Sequence, residues 1–169
     1  MSYKEEIKNF SYKIHNSSIE LDTFKENGFV ISCCQILHDA GIIEDYEIMH
    51  FEKKVQSLSL KINGYNFYDN KETLDLFVCS YVDSTEPKKI DSKILKADAK
   101  KVHNFFKESL KSLSSLLPKN TDAYSISRII KDNKKKLRRV NMYILTDGLC
   151  QIDAKIIEKI NDIDILIEF

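Results

Sequence analysis

The sequence predicts an α/β domain with a mixed central sheet flanked by helices. Three stretches carry that prediction. Residues 58–82 (LSLKINGYNFYDNKETLDLFVCSYV) read as two strands joined by a polar turn. Residues 96–117 carry the strongest helical stripe in the chain. Residues 140–169 read as strand, helix and strand, which implies a right-handed parallel crossover. A hairpin needs antiparallel pairing and a crossover needs parallel pairing, so one sheet holding both is mixed.

Taken in order, residues 1–16 place Ile7, Phe10 and Ile14 at helical spacing, which predicts a short helix or an N-terminal arm. Ser17-Ser18, followed by Glu20 and Asp22, reads as a helix start with acids in the first turn. That helix runs to about His38, with Val30, Cys33, Cys34 and Leu37 as its apolar stripe. Asp39-Ala40-Gly41 ends it. Tyr46, Ile48 and His50 alternate with Glu47, Met49 and Phe51, which predicts a peripheral strand with His50 at or near the surface.

In the central hairpin, Leu58, Leu60 and Ile62 alternate with Ser59, Lys61 and Asn63, the signature of a strand with one covered face. Gly64 interrupts it and predicts a bulge or a close backbone approach. Asp69-Asn70-Lys71-Glu72 form the turn. Leu74 to Val82 is apolar for most of its length, as an interior strand covered on both faces would be.

Residues 83–94 form a polar connection containing Pro87, with Asp83 and Glu86 in it. A helix then starts near Lys96, with Val102, Phe105, Phe106, Leu110, Leu113, Leu116 and Leu117 inward, lysines outward and Pro118 as its end. His103 has no acid four residues away and reads as a surface residue. Asp122 caps a further helix with Ile126, Ile129 and Ile130 inward. Val140 to Thr146 is a strand, Asp147-Gly148 its turn, 153–160 a helix with Ala154, Ile156, Ile157 and Ile160 inward, and 163–169 a last strand. Thr146-Asp147-Gly148 stands where open α/β sheets bind ligands, though Asp-Gly is also an everyday turn.

Composition bounds the function. A chain of 169 residues with 43% hydrophobic and 31% charged residues suits one domain over 1–169. Lys and Arg equal Asp and Glu at 26 each, so any pull on nucleic acid must come from a local patch. Cys33, Cys34, Cys79 and Cys150 lack metal-ligand spacing and read as buried thiols of a cytoplasmic protein. No signal peptide is visible, and no apolar run approaches the about 18 residues of a membrane span. The stop directly after an apolar strand suggests a domain of a longer protein.

The order helix, strand, strand, helix also suits a nuclease of the restriction-endonuclease fold. Such a core holds Mg²⁺ with an acid on one strand and an acid-x-Lys on the next. Here those positions fall on Asn63, Val78 and Ser80, which cannot assemble that metal site. Asn63-Gly64-Tyr65, the turn, and Leu74-x-Leu-Phe-Val-x-Ser-Tyr resemble the N-terminal region of abortive-infection phage-resistance proteins of bacteria. The resemblance spans about residues 20–169 and implies a restriction-endonuclease-like core whose catalytic positions are replaced. It implies a non-catalytic domain of a phage-defence protein, without metal or cofactor, that binds nucleic acid or a phage or host protein. Two rivals stand beside it. One is a Mg²⁺-dependent nuclease with relocated carboxylates from Asp69, Asp75 and Asp83, cations from Lys61 or Lys71, and Glu20 or Glu26 from the first helix. The other is an assembly domain joining copies of itself. Lys134, Lys135, Lys136, Arg138 and Arg139 are the candidate phosphate contacts.

Overall fold

Alternation and β-branching build most of the sheet. The structure, a computed structural model, describes residues 3–20, 24–84, 88–152 and 155–169. Its strands are β1 (Glu47–Val55), β2 (Leu58–Phe67), β3 (Thr73–Ser80), β4 (Arg139–Thr146), β5 (Lys155–Ile160) and β6 (Ile163–Glu168). They form one sheet in the order β1-β2-β3-β4-β6-β5. The pairs β1–β2, β2–β3 and β5–β6 are antiparallel, while β3–β4 and β4–β6 are parallel. The sheet is thus mixed, and its central strand β3 is buried from Leu74 to Ser80, as its unbroken apolar run requires.

Helices cover both faces. On one side α3 (Ser92–Lys111) and α4 (Asp122–Asn133) close the main core, where Phe105, Phe106 and Ile126 meet Ile62, Leu76 and Val78. On the other side α2 (Lys25–Asp39), backed by α1 (Tyr3–Glu20), sets Phe29, Val30 and Cys34 against Phe77, Cys79 and Tyr143. Gly41 ends α2 at φ +68°, where its N–H bonds to His38 O and the Ile42 N–H reaches Leu37 O. That double closure needs a left-handed residue, which glycine supplies without a Cβ penalty.

The bend in β2 positions the site. Leu60 and Ile62 lie in the main core, and so do Tyr65 and Phe67. A strand of strict period two cannot put both pairs on one face, so the alternation changes phase at Asn63–Gly64. Gly64 is required there because a Cβ would stand 2.8 Å from Glu47 O. The pairing of β2 with β3 stops at Gly64–Phe77, and beyond it the two strands part.

Several expectations need correction. Ser17 and Ser18 do not start a helix; they lie inside α1, because no glycine or proline interrupts the chain there, and α2 starts at Lys25 without a side-chain cap. Helix α3 starts at Ser92, capped by Asp91, and stops at Lys111 rather than Pro118. Serines 112 and 115 bond locally and turn residues Leu113–Leu116 into a short 3₁₀ segment. Leu116 consequently sits 47% exposed. Thr121, not Asp122, caps α4 by accepting from Tyr124 N–H, and Ile129 lies toward solvent.

The largest correction is at residues 155–160, which form strand β5 and not a helix. Lys-Ile-Ile-Glu-Lys-Ile satisfies both periods, but its three β-branched isoleucines favour the extended form. Asn161 at φ +54° makes the tight turn to β6. The predicted strand-helix-strand crossover is therefore a β5–β6 hairpin, whose second strand still pairs parallel with β4. Ala154 lies outside the described residues.

Candidate functional site

Where β2 and β3 part, polar side chains fill the gap. Asn63 Oδ1 accepts from Cys79 N–H at 2.9 Å, and Lys61 Nζ donates to Cys79 O at 2.7 Å. Two side chains thus replace the lost strand ladder and satisfy a buried peptide that would otherwise be orphaned. Glu26 of α2 accepts from both, 2.9 Å from Asn63 Nδ2 and 3.1 Å from Lys61 Nζ. His50 Nδ1 lies 3.3 Å from the same Asn63 nitrogen.

The charges continue across the fork. Lys61 stands 3.8 Å from Glu52, which pairs with Lys101 at 2.8 Å. Lys101 also holds Asp98 at 2.9 Å, and the Ser80 hydroxyl donates to the other oxygen of Asp98. Burial alone would raise the Glu52 carboxyl, but Lys101 and Lys61 outweigh it and hold Glu52 low. Burial opposes charge on Lys101, and Glu52 with Asp98 overcomes that too, so its ammonium is held high. Every charged group at the fork has an opposite charge beside it, a closed arrangement.

The predicted site residues fall around this cluster unevenly. Asn63 and Ser80 are in it, while Val78 is fully buried in the main core. Lys61 and Glu26 meet, as the relocated-site rival requires, but Asp69, Asp75 and Asp83 do not join them. Asp69 is exposed in the β2–β3 turn, and Asp83 is exposed and pairs with Lys25 at 3.2 Å. Lys71 stands 5.0 Å over the Phe67 ring. The Glu20 side chain and Glu86 lie outside the described residues. Among the described residues, no group of three or more His, Cys, Asp or Glu is placed to hold a metal ion. Sequence reading missed Glu52, Asp98 and Lys101; Asp98 is the one with a signal, an acid on the inward face of an apolar stripe.

Asp75 occupies a different place. It lies fully buried beside its strand neighbours Asn66 and Asn141, and accepts from Asn141 Nδ2 at 2.7 Å. Tyr68 and Asn66 are near its second oxygen, which lacks a partner in hydrogen-bond geometry. Burial pushes this carboxyl up to about 6, against the pull of Asn141. The thiols of Cys33 and Cys34 are likewise pushed up to about 12 by burial, which favours their protonated form. Cys33 and Cys150 are only half-buried.

Thr146-Asp147-Gly148 clasps the chain leaving β3. Asp147 Oδ1 accepts from Val82 N–H at 2.6 Å, and the Thr146 hydroxyl donates to Ser80 O at 2.9 Å. A Cβ on Gly148 would meet Ile90 at 2.9 Å. His103 is not a free surface residue: its Nε2 lies 3.2 Å from Glu158 of β5, outside hydrogen-bond geometry, and burial pushes its pKa down.

The basic run builds the second site. Leu137 is fully buried and anchors the α4–β4 connection, and Arg138 is steadied by donating from Nη1 to Lys135 O at 3.0 Å. Lys134, Lys135 and Arg138 then line an open cleft of about 630 Å³ with Lys107 and Lys111 of α3. The opposite wall is the β5–β6 turn, Ile160 to Ile163, with Asp162 as its acid. Lys136 is exposed outside the cleft, and Arg139 lies near Tyr143 on the α2 side of the sheet. Among the described residues no carboxylate pairs with Lys134, Lys135 or Arg138, in contrast to the fork.

Against this geometry, a family model described as the abortive infection phage resistance protein N-terminal domain matches residues 29–169. The chain belongs to that family. The match begins inside α2 and takes in the whole sheet, so the fork and the cleft are both parts of this abortive infection phage resistance N-terminal domain. No curated protein and no solved structure matches the chain. Among the described residues no helix is long and apolar enough to cross a membrane.

Proposed function

We propose that this domain is a non-catalytic nucleic-acid-binding module of a phage-defence protein. The observation that carries the reading is the cleft at Lys107, Lys111, Lys134, Lys135 and Arg138, which gathers five cations around Asp162, with Lys111 also paired to Glu108 at 2.8 Å, in a chain of zero net charge. Cations so placed release condensed counterions when they meet phosphates. The fork supports the non-catalytic part. Its element order suits a restriction-endonuclease-like core, but Asn63 and Ser80 spend their polar atoms on Cys79 and Asp98, and Lys61 is held by Glu26 and Cys79 O. The assembly reading has one observation on its side, Ile157 on the edge strand β5, which is 78% exposed.

The test is binding of labelled DNA and RNA across a salt series. Binding that weakens with salt, and weakens about tenfold or more on Lys134→Gln, Lys135→Gln and Arg138→Gln together, supports the reading. Binding unchanged by that triple substitution contradicts it.

A further inference from the structure

The basic cleft and a second hollow lie along the same helix, α3. Helix α3 packs over β2, β3 and β4, so the β6–β5 hairpin is left standing beside it. Between the two runs a hollow floored by Ala99, Ile156 and Ile167, with Lys96, Lys100, His103 and Glu158 around it. One helical turn beyond His103, Lys107 lines the basic cleft. Lys96, Lys100, His103, Lys107 and Lys111 fall at steps of three and four residues, so they stand in one row on α3. Seven cations line the two hollows, four from α3 plus Lys134, Lys135 and Arg138, against two lining carboxylates, Glu158 and Asp162, and Glu108, which pairs with Lys111.

From this we infer that the groove between α3 and β5 is a track for a single strand of nucleic acid. The inference rests on the nucleic-acid reading above and specifies its ligand. The row from Lys96 to Lys111 spans about 22 Å at 1.5 Å per residue, which covers about six nucleotides at about 3.4 Å per stacked nucleotide. One wall is a helix and the other a strand edge, a lining along which one backbone can lie. A duplex holds its two backbones apart across a major groove about 12 Å wide, so only one of them can follow the lysine row. Phosphates meet the lysine row while base faces meet the apolar floor, where Phe169 supplies the aromatic ring that stacking uses. Glu158 stands midway along the track, 3.2 Å from His103 Nε2, whose ring burial keeps toward the neutral form. Among the described residues it is the one acid lining the middle of the track, and it repels a phosphate passing there.

The experiment is fluorescence anisotropy with labelled oligothymidylates of increasing length and a blunt duplex of the same length, each with the full chain. Affinity for single strands is expected to rise until about six nucleotides and then level off, and to exceed that for the duplex. Lys100→Gln with Lys107→Gln weakens single-strand binding about tenfold and flattens the salt dependence by about one unit of slope per lysine. Glu158→Gln tightens it severalfold, a gain that a misfolded variant cannot give. Duplex binding as tight as single-strand binding overturns the track. So does loss on changing Lys134, Lys135 and Arg138 with no loss on changing Lys100 and Lys107; that result leaves nucleic-acid binding at the cleft intact. Indifference to both sets removes the track and the broader reading together.

Discussion

The fork and the groove use the same residue types to opposite ends. At the fork, Lys61 and Lys101 are surrounded by Glu26, Glu52 and Asp98, and Lys61 is only 7% exposed. In the groove, most lysines have no carboxylate within pairing distance among the described residues. A buried charge must be paired or its desolvation is uncompensated, whereas an exposed cation carries little for the fold and keeps its field for a ligand. On the proposed reading, fork charges belong to stability and groove charges to binding. Each substitution below tests that division.

The largest effect is expected at the fork. Lys61→Ala strips Glu26 of its cation and Cys79 O of its donor, and should cost about 3–5 kcal/mol in urea unfolding. A loss under about 1 kcal/mol would mean that the fork is loosely hydrated rather than closed.

Asp75→Asn should act in the other direction. The folded carboxyl, raised to about 6 from 3.8, penalises the charged form. Its stability contribution is full below about pH 3.8 and is lost as pH rises through about 6. Removing the charge should therefore raise stability at pH 7, by up to about 3 kcal/mol, and change little near pH 4. Melting curves at both pH values check the sign; an equal change at both would assign the effect to packing.

Ser80→Ala leaves a buried oxygen of Asp98 without its donor and should cost about 1–3 kcal/mol. The smallest effect belongs to the groove. Lys100→Gln, Lys107→Gln and Lys134→Gln should each leave stability within about 0.5 kcal/mol while weakening nucleic-acid binding. A groove lysine whose loss unfolds the protein would erase the contrast between the two regions.

This contrast also explains what was legible in the sequence. The β2–β3 hairpin was plain because period two and an unbroken apolar run are local signals. The need for Gly64 was visible as a break in that period. The fork was half visible: Asn63 and Ser80 stood at marked positions, but Glu26, Glu52, Asp98 and Lys101 reach them from α2, β1 and α3. No spacing rule reports contacts at that range. The groove was hidden for another reason. The α3 lysines read as a solvated helix face, and the wall opposite them is β5, whose isoleucines fit a helical period equally well. With β5 taken as a helix, His103 had no partner and the lysine row had nothing to face.

The most direct measurement is cleavage and binding recorded in the same samples, with labelled DNA and RNA in Mg²⁺ and Mn²⁺. The account predicts binding without cleavage, and loss of that binding when Lys134, Lys135 and Arg138 are neutralised. Cleavage that disappears on Glu26→Gln or Asp98→Asn would contradict it and make the fork a working metal site.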